Sequence, residues 1–396
     1  MSGTLSNIHN NTSFALHLHA EAMAGLQEQA YNGSRINRAS DDPSAAYRVL
    51  GLKSQKGSLE NYMDNISQTV GTLEISSFVT EEMASAISKT KTTLTQALSG
   101  TYSEADRQIF AKQVNDTLEQ IVSLANTDHM GQYIFGGSNT SSAPYAVQRT
   151  NGEITNVTYQ GSLQNRDIEV APGVQSEAFY AGDGLFRSDS RDTPVFLGSS
   201  GATAGTGTSS VKGDVWLTVT DDGSGSYDLS IDDGVTKVNV AAAADIANIA
   251  VKNSAGEVLY VDATNISCTG VEMVRLPGTY DIFSTLINIR DLLKNQRDLP
   301  GSTVLSLINE SAESLEEIKN LLVEKQVAMG TKINFLDTLK GSLENVKFGA
   351  EDEASVLQEA DIAQIAIDIS SREMLYQMSL SVAGKLMSMS LLDFLG

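Results

Sequence analysis

The sequence predicts an α+β protein with a long coiled-coil-like helical shaft made from both chain ends and a β-rich domain inserted in the middle. Three observations predict it. An apolar run stepping alternately four and three residues extends from Ala45 to Leu98, and a second extends from Val304 to Val346. Between them, from about Gly136 to Pro277, short alternating runs are separated by Gly, Asp, Asn and Ser. The expected division is 1–40 and 355–396 as a terminal coiled-coil assembly region, 41–138 and 277–354 as helical shaft, and 139–276 as outer β-rich domain.

The first long run visits Ala45, Val49, Leu52, Lys56, Leu59, Met63, Ile66, Val70, Leu73, Ser77, Thr80, Ala84, Ile87, Lys91, Leu94 and Leu98, apolar except at two lysines, a serine and a threonine. A mean step of 3.5 keeps one stripe facing a neighbouring helix. Asp42 can cap this helix and Pro43 suits its first position, where a missing N–H costs nothing. Its length, roughly 80 Å at 1.5 Å per residue, exceeds what an ordinary enzyme core requires. A shorter helix is expected from about Ser103 to Asp128, and another from Asp281 to Asn295 through Phe283, Leu286, Ile289 and Leu293. Gly100 and Pro300-Gly301 punctuate these helices. The second long run visits Val304, Ile308, Ser311, Leu315, Ile318, Leu322, Lys325, Met329, Lys332, Leu336, Leu339, Leu343 and Val346.

In the middle, Val215–Thr220, Tyr227–Ile231 and Val235–Val240 read as strands of a meander. They are joined by Asp221-Asp222-Gly223-Ser224-Gly225 and Asp232-Asp233-Gly234, residues that tolerate positive φ. Ser199–Ser210, all Gly, Ser, Thr and Ala, reads as a flexible loop.

The two ends share a property. Leu16, Met23 and Leu26 near the N-terminus, and Ile362, Ile365, Ile369, Leu375, Met378, Val382, Leu386, Met389 and Leu392 near the C-terminus, lie at helical spacing. Covering a side chain of that size is worth about 1.5–3 kcal/mol. Ordering each residue costs about 1.5 kcal/mol. A lone terminal helix therefore does not hold itself, and the ends are expected to be disordered in the monomer and to fold against each other and against neighbouring copies. These apolar positions are the candidate assembly interface.

Composition narrows the function. A net charge of −22 has the wrong sign for a phosphate-neutralising nucleic-acid binder. A single cysteine, Cys268, excludes an internal disulfide and a cysteine metal cluster. The first residues lack the basic and apolar regions of a secretory signal. The stretch from Met374 to Leu395 is the nearest to a membrane span, but Lys385 at its centre opposes insertion by about 2.5–3.5 kcal/mol. His17 and His19, two residues apart on a helix, make a poor metal pair, and no nucleophile-elbow, zincin or P-loop pattern appears. The Asp-Asp-Gly clusters lack the spacing of a calcium loop and read as hairpin turns. No catalytic, metal or cofactor site is expected.

Four segments resemble one family. Ile36-Asn37-Arg38-Ala39-Ser40-Asp41-Asp42-Pro43-Ser44-Ala45-Ala46 is similar to the segment that opens the long helix of flagellin-like proteins of the bacterial flagellum. Its Asp-Asp-Pro is more similar to the hook-associated, junction-forming members than to filament flagellins, which usually carry Asp-Asp-Ala-Ala. Gly131–Thr140 resembles the family's Tyr-Ile-Phe-Ser-Gly element, with Gly136 where Ser is common. Tyr159-Gln160-Gly161 followed by Arg166-Asp167-Ile168-Glu169-Val170 resembles its Tyr-Gln-Gly and Arg-x-Val-x-Ile stretch, and Ser390-Leu391-Leu392 its closing helix. Residues from about Gly182 to Val274 resemble nothing in the family and enlarge the outer domain.

The resemblance implies terminal helices pairing as the inner core of a tube, outside the cell, after export as unfolded chain through the flagellar type III apparatus. It implies as partners another hook-associated junction protein, flagellin, further copies of the chain, and a cytoplasmic export chaperone on the C-terminal helix. Three other readings compete: the ends fold back as an intramolecular bundle, the chain is filament flagellin itself, or it is an exported adhesin or enzyme using the outer domain.

Overall fold

The computed structural model describes residues 2–98 and 103–395, with side chains described from 10 to 98 and from 103 to 385; Gly100 lies outside them. Two compact units emerge. One comprises residues up to Asp64 together with those from Leu339 onward, and the other Asn65–Thr338. Helix α1 is Ser2–Asn32, α2 is Pro43–Ala97 and α3 is Glu104–Ala125.

Every position of the first apolar run is buried or half-buried, all of them on α2 except Leu98, which directly follows it. The stripe is thus continuous at a 3.5-residue period. Ser103 and Asp106 form a reciprocal capping box at the start of α3. Asn126, whose side chain bonds both the amide and the carbonyl of Tyr145, ends that helix three residues before the sequence suggests.

Two hairpins and a short ribbon follow: β1 Asp128–His129 with β2 Gln132–Tyr133, β3 Tyr145–Thr150 with β4 Glu153–Tyr159, and β5 Arg166–Ala171 with β6 Val174–Phe179. A single helical turn, α4 Gly182–Leu185, leads into the outer strands. These are β7 Val195–Leu197, β8 Thr203–Ala204, β9 Gly213–Asp221, β10 Tyr227–Ser230, β11 Val238–Asn239, β12 Ile249–Lys252, β13 Val258–Asp262 and β14 Gly270–Leu276. Two antiparallel sheets, ordered β11-β10-β9-β14-β7 and β12-β13-β8, enclose a core that includes Leu217, Leu229, Val251, Leu259, Val261 and Val274. The other face of the larger sheet sends Met273 and Trp216, directly opposed in register, to the helical core.

The chain closes with α5 Ile282–Leu293, α6 Gly301–Gln358 and α7 Ile362–Leu395. Asp281 caps α5 by accepting from the amides of Phe283 and Ser284. In the unit from Asn65 to Thr338, α2, α3, α5 and α6 share one apolar core, with Ile87, Leu118, Phe283 and Leu322 among its fully buried members.

The structure corrects four details. Val346 is 49% exposed, because the α6 seam takes two consecutive steps of four, Leu339 to Leu343 to Lys347, before it continues through Ala350 and Ala354. That drift is what a 3.6-residue turn imposes on a strict heptad. Ser199–Ser210 is not a free loop: Ser200, Ala202 and Ser209 are buried, and β8 pairs with β13. Its small residues let it lie close, since a Cβ on Gly207 would fall 2.3 Å from the Tyr260 ring. Of Val235–Val240 only Val238–Asn239 pairs, because the Asp232 carboxylate draws the amide of Thr236 into a turn. The helix expected from Asp281 to Asn295 is shorter, α5 running Ile282–Leu293.

Candidate assembly surface

Helices α1 and α7 pack against each other, antiparallel, within the unit that holds both chain ends. On α1 the half-buried positions are Thr12, Ala15, Leu16, His19, Ala22, Met23, Leu26 and Gln29. On α7, Ile365 is buried, and Asp368, Ile369, Arg372, Tyr376, Ser379 and Ala383 are half-buried. Both sets repeat at steps of three and four, so each helix turns one stripe to the other. The α7 stripe becomes small and polar toward the C-terminus. Midway, Nη1 of Arg372 lies 3.5 Å from Nδ1 of His19. Leu26 and Leu375 meet in a groove with Ala22, Gly25, Asp368 and Arg372.

The larger apolar side chains of α7 lie on its other side. Ile367 is 63% exposed, Met374 65%, Met378 60% and Val382 52%, with Leu375 at the edge at 42%. Ile365 and Ile367 are two residues apart, about 200° around a helix. Phe14 and Leu18 are likewise exposed on α1. Pairing with α1 therefore satisfies the weaker face of α7 and leaves the stronger one in water. Each of these side chains offers about 1.5–3 kcal/mol if covered.

The sequence-derived candidates divide accordingly. Leu16, Met23, Leu26, Ile365 and Ile369 lie in the α1–α7 seam, while Ile362, Leu375, Met378 and Val382 are exposed. The side chains of Leu386, Met389 and Leu392 lie outside the described residues. Sequence reading missed Ile367 as a member of the exposed stripe. Stepping by four and three from it through Ser371, Met374 and Met378 would have found that stripe.

The base of the pair is a knuckle built by the segment around Asp41 and Asp42. The Asp41 carboxylate accepts from the amides of Arg38 and Asn37 at 2.8 and 2.9 Å, and these bonds hold its pKa below the usual carboxylate range. Asp42 accepts from the amide of Ala45 at 3.0 Å, which caps α2 at Pro43. Ser34 and Glu359 form an antiparallel bridge. Along the adjoining parts of α2 and α6, Arg48 pairs with Glu353, Lys56 with Glu351 and Lys347 with Glu60. The Lys56 ammonium beside Glu351 pulls that carboxyl down, and Glu351 raises Lys56 in return.

The family-like segments Gly131–Thr140, Tyr159–Gly161 and Arg166–Val170 lie in the second unit, while the side chains of Ser390-Leu391-Leu392 lie outside the described residues. Ile134 and Phe135 are fully buried, and the Tyr159 hydroxyl donates to the carbonyl of Ser162 at 2.8 Å and approaches that of Phe135 at 3.1 Å. Burial pushes that hydroxyl up to about 12. A Cβ on Gly136 would fall 2.1 Å from the carbonyl oxygen of Asn139, so the Ser common in the family does not fit this turn unmoved. The Asp-Asp-Gly turns are filled by their own donors. Asp222 accepts from Ser224, Ser226 and Asn239, and Asp232 from Ser230, Thr236 and Ser254. Among the described residues no helix is long and apolar enough to cross a membrane, and no cluster of His, Cys, Asp and Glu is arranged to hold a metal.

Comparison with known proteins gives these features a family. Residues 5–140 match the bacterial flagellin N-terminal helical region. The chain is 28% identical over 164 residues to flagellar hook-associated protein 3 of Escherichia coli K12, a match covering 41% of this chain and 49% of that protein. It is 32% identical over 123 residues to the same protein of Salmonella typhimurium, covering 30% and 38%. The chain thus spans about half or less of the length of these curated relatives. Flagellin B of Helicobacter pylori J99 matches at 24% over 163 residues, covering 41% and 31%. Among solved structures, FlgL of Xanthomonas campestris superposes with a TM-score of 0.52 at 18% identity, covering 76% of this chain and 98% of that one. Hook-associated protein-3 of Legionella pneumophila gives 0.53 at 17%, covering 77% and 98%. These two likenesses concern the fold. With the capped Asp-Asp-Pro knuckle, the paired chain ends and the buried Ile134-Phe135 element, residues 5–140 are thus similar to the N-terminal helical region of bacterial flagellins, and the fold is similar to that of flagellar hook-associated proteins.

Proposed function

We propose that the chain is a structural, non-catalytic junction subunit of the bacterial flagellum, joining the hook side to the flagellin filament outside the cell. The observation that carries the reading is the exposed stripe of Ile367, Met374, Met378 and Val382 on a helix whose opposite face α1 already occupies. A stripe of that size on a terminal helix calls for a protein partner. Repetition of one chain around a tube supplies identical partners at no further cost in sequence. On this reading 1–40 with 355–396 forms the assembly region, 41–138 with 277–354 the shaft, and 139–276 the outer domain. The partners are another hook-associated junction protein, flagellin and further copies, with an export chaperone covering the C-terminal helix before secretion. Leu16, Met23, Leu26, Ile362, Ile365, Ile369, Leu375, Met378, Val382, Leu386, Met389 and Leu392 act in these contacts.

The alternative is filament flagellin. Asp41-Asp42-Pro43, with Pro43 opening α2, favours the junction reading. Deletion of the gene decides between them. A junction protein's loss leaves hooks intact and flagellin shed into the medium, whereas a flagellin's loss leaves hooks with nothing shed.

A further inference from the structure

The break between α6 and α7 is not encoded where it occurs. From Val356 to Ile362 the chain reads Val-Leu-Gln-Glu-Ala-Asp-Ile, without glycine or proline and with good helix formers at its centre. In a continued helix the amides of Ala360, Asp361 and Ile362 would donate to the carbonyls of Val356, Leu357 and Gln358. Instead the amide of Ala360 donates to the carbonyl of Gly33 at 3.0 Å. The carbonyl of Gln358 accepts from the amide of Arg35 at 2.7 Å, and that of Leu357 from the Arg35 guanidinium at 3.2 Å. One residue from the far end of the chain thus takes two of the carbonyls that the last turn of α6 leaves open. Its positive charge also suits that end of the helix.

The local signal is one-sided. The Asp361 carboxylate accepts from the amides of Ala363 and Gln364 at 2.9 and 3.0 Å, which starts α7 but does not stop α6. The break between α1 and α2 is different, because Gly33 at φ +67° and Pro43 are both written into the segment itself.

We propose that Arg35 caps α6 from across the knuckle and thereby forces the break, making residues 357–363 a two-state hinge. The hinge is bent while Gly33 and Arg35 hold the end of α6, and a continuous α6–α7 helix when they leave. Movement of the α1 end then sets the conformation of the α7 end. The hinge stands whether or not the chain is a junction subunit.

The test is amide hydrogen exchange over 357–363 in the full-length monomer. In Arg35→Ala the segment exchanges several-fold more slowly than in the parent, because the freed carbonyl of Leu357 recruits the amide of Asp361 and the helix extends from there. Adding Ile362→Pro returns exchange to the parental rate, since proline is accepted at the first position of α7 but excluded from the interior of a continuous helix. Exchange unchanged or faster in Arg35→Ala overturns the proposal, as does slow exchange that survives Ile362→Pro. Should Arg35→Ala not fold, Ile362→Pro alone decides. An unchanged melting temperature supports a bent native state, and a lowered one contradicts it.

Discussion

Asp41 and Glu351 show how single carboxylates hold the chain ends together. Both are held below their ordinary range, Asp41 by the amides of Arg38 and Asn37 and Glu351 by Lys56. A carboxyl whose pKa is depressed by folding contributes stability that is complete above its unfolded value and is lost as pH falls through the folded one. The knuckle should therefore hold from neutrality down to about pH 4, near the unfolded values, and loosen below that. Amide exchange at Asn37 and Arg38, followed down the acid range, should accelerate there, and Asp41→Asn should remove most of the pH dependence. Gly137 is a second residue with one permitted identity. Its φ is +63° and a Cβ would fall 2.4 Å from the carbonyl of Ser162. Gly137→Ala should destabilise the second unit by about 1–3 kcal/mol in denaturant melts, through backbone strain and overlap together.

At the scale of elements, the heptad register gives a paired prediction. Leu343 is buried and Val346, three residues on, is 49% exposed. Leu343→Ala should cost about 2–5 kcal/mol, while Val346→Ala should stay within about 0.5 kcal/mol. Chemical denaturation of the two variants measures the difference. Both long helices were legible, because a 3.5-residue stripe sustained over many turns has no competing reading. The slip at Lys347 was not, since Val346 and Lys347 are exchanged only by the accumulated drift of the real helix. The outer domain was half legible. β9 and β10 alternate cleanly around a turn of Asp and Gly, whereas β8 is a Gly- and Ser-rich strand recognisable only by what packs on it.

The rivet between outer sheet and helices was not legible at all. Arg275 on β14 has a side chain only 5% exposed. It lies 3.4 Å from the buried Asp214 carboxylate on β9 and 3.1 Å from the Tyr280 hydroxyl, and it donates to the carbonyl of Glu310 and to Ser314 on α6. Burial pushes Asp214 up and Arg275 pulls it back down. Arg275→Ala strands a buried carboxylate and should cost about 3–5 kcal/mol, more than Arg275 with Asp214 replaced together by apolar residues of similar size. The double-variant melt checks this.

For the whole molecule, the candidate interface was legible as composition but not as geometry. Apolar spacing marks Met378 and Val382 as well as Ile365 and Ile369, yet it does not say which pair meets α1. The structure answers through the polar half of the seam: Arg372, Tyr376 and Ser379 face inward, and the bulk faces out. A pairing that covers the lesser face is weak by design of its sequence, so the far ends of α1 and α7 should exchange amide protons freely in the monomer. On the proposed function, Met374→Asp with Met378→Asp should leave the monomer's melt unchanged while abolishing incorporation into flagella, scored by flagellin shed into the medium.

The most direct measurement is the thermal melt of the full chain beside a version ending at Ser370. If the outward face of α7 exists for other subunits, the two monomers melt together and only the shortened one fails to retain filaments. If removing the segment lowers the melt by many degrees, the end of α7 belongs to the monomer's own core, and the assembly account is wrong.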